Sequence, residues 1–101
     1  MLNIDFDLSP ADLSDAIRQM WQVSAEKIVS IEKTYPVGSG TPVFTVAGKY
    51  SAQGWTEWTQ GFQFGSSILQ FDATQDERFL EIGRENTIRH MASHVSHIGV
   101  H

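Results

Sequence analysis

Trp55-Thr-Glu-Trp58-Thr-Gln-Gly61-Phe62-Gln63-Phe64-Gly65 is the stretch whose residue types could do chemistry. Two tryptophans and two phenylalanines fall close together, interleaved with glycines and polar side chains. The stretch looks built to present flat rings to something. Gln60 and Gln63 add donors and acceptors suited to hydroxyl groups. Glycine costs roughly 1 kcal/mol relative to alanine inside a helix. Gly61 and Gly65 lie one helical turn apart, and they are expected to let a neighbouring helix come close. A phosphate loop does not fit, because the preceding strand and the Gly-Lys-Ser/Thr ending are missing.

The second cluster is His90, His94, His97 and His101, spaced four, three and four. Two histidines one turn apart can bind zinc. No glutamate lies between His90 and His94, so the metalloprotease pattern is absent. Gly99 interrupts the helix before His101. No metal site and no cofactor are expected. There is no Ser-His-Asp signature and no nucleophile elbow. The chain has no cysteine, hence no disulfide framework and no thiolate chemistry.

Charge and composition narrow the classes further. The 101 residues carry a formal charge of −5, with seven scattered basic side chains. Nucleic-acid binding needs clustered Lys and Arg, so that partner is not expected. The 41% hydrophobic and 19% charged content is that of a globular domain. No apolar run approaches the ~20 residues of a membrane span. The first eight residues are acidic and lack the basic start and apolar core of a signal peptide, so the expected location is cytoplasmic.

Local signals place these residues on three helices. Ser9-Pro10-Ala-Asp12 reads as a helix start, with Ser9 capping and Pro10 at the first position. Leu13, Ile17, Met20, Trp21, Ser24, Ile28 and Ile31 then form one apolar stripe, with Trp21 in the core. The helix should end before Tyr35-Pro36. Residues 36–54 read as a long loop, in which Val43-Phe-Thr-Val46 could be extended. A second helix is expected from about Trp58 to Ala73. Phe62, Phe64, Ile68, Leu69 and Phe71 cover most of its surface, the mark of a buried helix. Thr74-Gln-Asp-Glu77 fits a capping box for a third helix that ends near Ser96. Asp72 and Asp76 are structural on this reading. Three helices cannot cover the second one on every side, so its extra apolar face should form an interface.

Trp58-Thr-Gln-Gly61-Phe62-Gln63-Phe64-Gly65, followed by Thr74-Gln-Asp76-Glu77-Arg-Phe79, resembles glycoside hydrolase family 88, the unsaturated glucuronyl hydrolases. The resemblance covers residues 55–101. That family carries a W-x-x-G-F-W-x-G helix start, a Thr-Gly-Asp-Glu turn, and then a His-Asp pair. Here Gln63 replaces the third aromatic and Gln75 replaces the turn glycine. The resemblance implies an all-α fold, with residues 1–101 as a single segment at the N-terminal part of an (α/α)6 toroid. It implies hydration of an unsaturated uronic acid at the non-reducing end of an oligosaccharide, without metal or cofactor. Trp58 would stack on the sugar, His101 would contact the substrate or its carboxylate, and Trp55 and Gln63 would line the site. The family's catalytic aspartate directly follows the histidine matched to His101. The 101 residues alone are therefore expected to contain no catalytic group and to be inactive. The alternatives are a non-catalytic helical interaction module whose aromatic helix binds a partner or self-associates, or another α/α toroid sugar enzyme such as an epimerase.

Overall fold

The computed structural model describes residues 1–36, 39–53 and 58–95. The protein is mostly helical, at 67% helix, with one small two-stranded sheet. A 3₁₀ turn, Pro10–Leu13, leads into α1, Ser14–Thr34. Strands β1, Thr41–Val46, and β2, Lys49–Gln53, form an antiparallel hairpin. Helices α2, Thr59–Thr74, and α3, Glu77–Val95, complete the order. Among the described residues no helix is long and apolar enough to cross a membrane.

The ends of α1 follow from local chemistry. The Ser9 N–H and hydroxyl both donate to the Asp12 carboxylate, at 2.9 and 2.6 Å. The Asp12 N–H donates back to the Ser9 carbonyl. These bonds hold the Asp12 carboxyl below the ordinary carboxylate range. The helix stops at Thr34, before Tyr35-Pro36. It docks from Trp21 onward: Trp21 and Ile31 are half-buried and Ile28 is buried, whereas Leu13, Ile17 and Met20 stay exposed.

The hairpin corrects the expectation of an all-α chain with a long loop. Ala47 and Gly48 form its two-residue turn with φ of 50° and 75°. Both values are positive, the geometry that matches the twist of the flanking strands. The Tyr35 hydroxyl donates to the Tyr50 carbonyl at 2.8 Å and ties the hairpin to the end of α1.

Helices α2 and α3 form the tightest pair. Phe79, 2% exposed, is the most buried apolar side chain, and Phe64 is buried beside α3. Gly83 makes the close approach. A Cβ there would lie 2.5 Å from Ile68 Cδ1 and 3.1 Å from the Phe64 carbonyl oxygen. The sequence reading had given this role to Gly61 and Gly65. No atom of the described residues comes within 4 Å of a Cβ built at either.

The turn between α2 and α3 also differs from the expected capping box. Thr74 still belongs to α2, and its hydroxyl donates back to the Gln70 carbonyl. Asp76 is the cap: its carboxylate accepts from the Arg78 N–H at 3.1 Å. It also pairs with the Arg78 guanidinium at 2.7 Å, which holds its carboxyl below the usual range. Gln75 sits at φ 59°, a left-handed C-cap where glycine is the usual residue. Its side-chain amide donates to the Asp72 carbonyl at 3.1 Å, a local bond that supports the strained backbone.

The stripe that α2 buries is largely polar: Gln60, Phe64, Ser67 and Gln70. Gln70 is 1% exposed and its Nε2 donates to the Trp21 carbonyl of α1 at 3.1 Å. Phe62 and Leu69 remain exposed on the outer side, so α2 is not enclosed all round. Trp21 is half-buried rather than enclosed in a core.

Candidate functional site

The hairpin and the C-terminal half of α1 close over the first turns of α2 and the middle of α3, leaving a cavity of about 290 Å³. Ile28, Ile31, Pro42, Phe62, Phe64 and Ile82 form its apolar walls. Its polar groups come from three helices. Asn86 of α3, 6% exposed, donates through Nδ2 to Glu32 Oε2 at 3.0 Å and to the Ile82 carbonyl at 3.0 Å. That bond fixes Glu32 of α1 against the cavity wall.

Two further polar atoms in the lining have no hydrogen-bond partner among the described residues. Thr59 Oγ1 and Gln63 Oε1 are buried and accept no hydrogen bond. A buried polar atom left unbonded costs about 1–3 kcal/mol. Such groups are normally satisfied by protein, water or ligand. Gln63 Oε1 and the Glu32 carboxylate accept, and the Thr59 hydroxyl both donates and accepts, so the fitting occupant is a molecule that presents hydroxyl groups.

Trp58 stands at the start of α2, one residue before its first turn. Its ring meets Phe62 edge to face, with centroids 5.6 Å apart and planes at 87°. Phe62 lines the cavity, and Trp58 touches that wall residue from outside the lining. Trp58 is 57% exposed, which leaves ring surface open for stacking. Structure and sequence therefore bring Trp58 and Gln63 to one end of α2. Trp55, His97 and His101 lie outside the described residues.

The two described histidines face α2 on the other side. His94 Nε2–H donates to Gln60 Oε1 at 2.8 Å. His90 Nδ1–H donates to the Asn86 carbonyl at 2.8 Å, and its ring centroid lies 5.1 Å from that of Phe64. With Gly61, Gly65 and Met91 they line a second hollow of about 320 Å³. The open space beside both glycines is this hollow. Among the described residues no group of three His, Cys, Asp or Glu is placed to hold a metal ion.

The sequence reading missed Glu32, Thr59 and Asn86. Glu32 and Asn86 are polar residues on helices read for their apolar stripes. Asn86 follows Phe79 and Ile82 at spacings of three and four on α3, which was the available signal. Comparison with known protein families, curated proteins and solved structures finds no match.

Proposed function

We propose that this chain is the N-terminal part of a carbohydrate-active helical enzyme of the family 88 type, an (α/α)6 toroid. The Trp58 end of α2 would face an oligosaccharide with an unsaturated uronic acid at its non-reducing end. The observation that carries the reading is the exposed Trp58 ring beside a cavity wall holding the unbonded oxygens of Gln63 and Thr59. A sugar offers the complement to both. Its apolar face stacks on indole, and its hydroxyls donate to such oxygens.

Electrostatics orients the sugar. Glu32 adds a carboxylate to the wall, so the uronate carboxylate turns away from it, toward the N-terminal end of α2, where the helix dipole favours negative charge. In the complete protein an aspartate following His101 would protonate the enol ether. Water would then add, and the hemiketal would collapse to release the sugar. Neither Asp72 nor Asp76 takes that part: Asp76 caps α3, and neither lines the cavity. The exposed Phe62 and Leu69 would be covered by neighbouring helices of the toroid. A cytoplasmic location belongs to the same proposal.

The test is direct. The complete protein, incubated with an unsaturated uronyl disaccharide, should abolish the ultraviolet absorbance of the conjugated double bond. Trp58→Ala should raise KM more than it lowers kcat, since stacking acts on ground state and transition state alike. Folded protein that leaves the absorbance unchanged refutes the proposal. The outer face of α2 favours one other reading, a non-catalytic helical module that binds a partner there. Phe62 is 71% exposed and Leu69 59%. That module would be silent in the absorbance assay and would lose its partner on Phe62→Lys.

A further inference from the structure

Residues 2–9 alternate strictly: Leu2, Ile4, Phe6 and Leu8 are apolar, and Asn3, Asp5, Asp7 and Ser9 are polar. Period-two alternation over eight residues is the pattern of a half-buried β-strand. Yet among the described residues the segment pairs with no strand, and all four apolar side chains are exposed. The Asp7 N–H donates to Asp5 Oδ1 at 3.0 Å within it.

The sheet has the opposite shortage. Its two strands have no third partner among the described residues. An isolated two-stranded hairpin is marginal in water, and three strands with an apolar face are the usual minimum. In the antiparallel register Val46 faces Lys49 across the two-residue turn. The next pair, Thr45 and Tyr50, therefore turns its backbone groups outward. On β2 the Tyr50 carbonyl is taken by Tyr35. On β1 no hydrogen bond from outside the hairpin reaches Thr45 among the described residues. Phe44 and Val46 of β1 share one exposed face.

The strand and the edge cannot meet within one molecule. The hairpin packs at the far end of α1, where Pro42 and Tyr50 share a cavity with Ile28 and Ile31. From Ser9 to the level of Ile28 is about 30 Å, given ~2.0 Å per residue in the 3₁₀ turn and 1.5 Å in the helix. The eight residues before Ser9 span at most ~27 Å when fully extended. Pairing four of them along β1 would consume about half of that length, and the rest falls far short.

We propose that residues 2–8 form the third strand of a second copy's hairpin, along the outer edge of β1 beyond Pro42, in a reciprocal two-fold dimer. The occupant is fixed by reach and by pattern. The segment lies too far from its own hairpin, and its apolar side extends the Phe44–Val46 face. The arrangement also accounts for α1. Leu13, Ile17 and Met20 are its exposed stripe at the N-terminal half, with spacings of four and three. Two α1 helices packed antiparallel along this stripe bring each Ser9 beside the partner's hairpin. Such an exchange is isologous and closed, so it stops at two copies. The radius of gyration, 16.4 Å, exceeds the ~13 Å of a compact chain of this length, as befits half of a dimer. This inference does not depend on the carbohydrate reading.

The absence of cysteine makes the test clean. Phe6→Cys is made in one preparation and Val46→Cys in another. Mixed and mildly oxidised, they should yield a disulfide-linked heterodimer of the two variants. Sedimentation equilibrium of the unmodified chain should show a dimer. Ile4→Pro with Phe6→Pro should weaken it at least tenfold, because proline cannot donate to a ladder. Both positions are exposed and outside the core, so the folded content by circular dichroism should not change. Unmodified chain that is monomeric at ~100 μM overturns the proposal. So does a dimer indifferent to the proline pair, or mixing that yields no heterodimer.

Discussion

The three glycines of the α2–α3 pair should respond in opposite directions to one substitution. In each, a hydrogen becomes a methyl group. At Gly83 that methyl would sit 2.5 Å from Ile68 Cδ1, 2.9 Å from Ile68 Cγ1 and 3.1 Å from the Phe64 carbonyl oxygen. Ile68 can turn away only by leaving its rotamer, at about 0.5–1.5 kcal/mol. The carbonyl is part of the α2 backbone and cannot turn away, so the helices must separate slightly. Overpacking of this kind costs about 1–3 kcal/mol. Alanine recovers roughly 1 kcal/mol of helix propensity. Gly83→Ala is therefore expected to destabilise by about 1 kcal/mol. At Gly61 and Gly65 the methyl meets nothing within 4 Å, so only the propensity gain remains. Gly65→Ala should stabilise by up to about 1 kcal/mol, and Gly61→Ala by less, because it lies in the first turn. For a chain of this size 1 kcal/mol moves the melting midpoint by ~4–8 °C. Circular-dichroism melts should then separate Gly83→Ala from Gly65→Ala by about twice that interval. If Gly83→Ala melts at or above the parent, the close approach of α2 and α3 at Ile68 is wrong. If Gly65→Ala melts lower, the space beside α2 is filled.

Other substitutions probe the site and its supports. Gln63→Met removes a buried carbonyl oxygen that has no partner and keeps the side chain's length. It should raise stability by about 1 kcal/mol in thermal melts while weakening binding of an unsaturated disaccharide, the two effects moving in opposite directions. A change in neither would remove Gln63 from the cavity wall. The Asp76 carboxyl is held below its ordinary range mainly by its bond to the Arg78 guanidinium. A depressed value in the folded state means that its contribution is present above the unfolded value and is lost as pH falls through the folded one. The α3 start should therefore loosen below about pH 4. Asp76→Asn should flatten that part of the pH dependence of the melting midpoint, and an unchanged acid limb would contradict the cap.

The helix ends were readable because their determinants are local. Ser9-Pro10-Ala-Asp12 and Tyr35-Pro36 set both ends of the first helical segment through contacts within four residues. The start of α2 next to Trp58 was equally plain, as was a helix spanning Phe79 to Val95. The hairpin was not. Its turn is Ala47-Gly48 rather than Asn-Gly, and β2, Lys-Tyr-Ser-Ala-Gln, alternates only Tyr50 and Ala52 with polar residues, too short a pattern to mark a strand. Only Val43-Phe-Thr-Val46 hinted at an extended segment. The buried stripe of α2 escaped for another reason. A search for apolar periodicity overlooks Gln60, Ser67 and Gln70, whose burial depends on partners such as Trp21 and His94, 49 and 34 residues away. Spacing alone also could not tell which glycine meets a neighbour. Gly61 and Gly65 have the regular interval, but Gly83 has the contact.

The two polar bridges from α1, Gln70 to the Trp21 carbonyl and Asn86 to Glu32, have a consequence for the order of assembly. They join residues 49 and 54 positions apart, whereas α2 and α3 are joined by Gln75 and Asp76 alone. Short-range contacts close early and long-range ones late. The α2–α3 pair is thus the natural first unit to form, and α1 docks onto it afterwards through Ile28, Ile31 and these two polar bridges. The same hierarchy runs backward in the native state. Amide protons of α1 should exchange with solvent sooner than those around Phe79 and Gly83, because undocking α1 leaves the helical pair intact. The cavity holding Glu32 would then open and close with that undocking, on a clock set by two hydrogen bonds rather than by global unfolding.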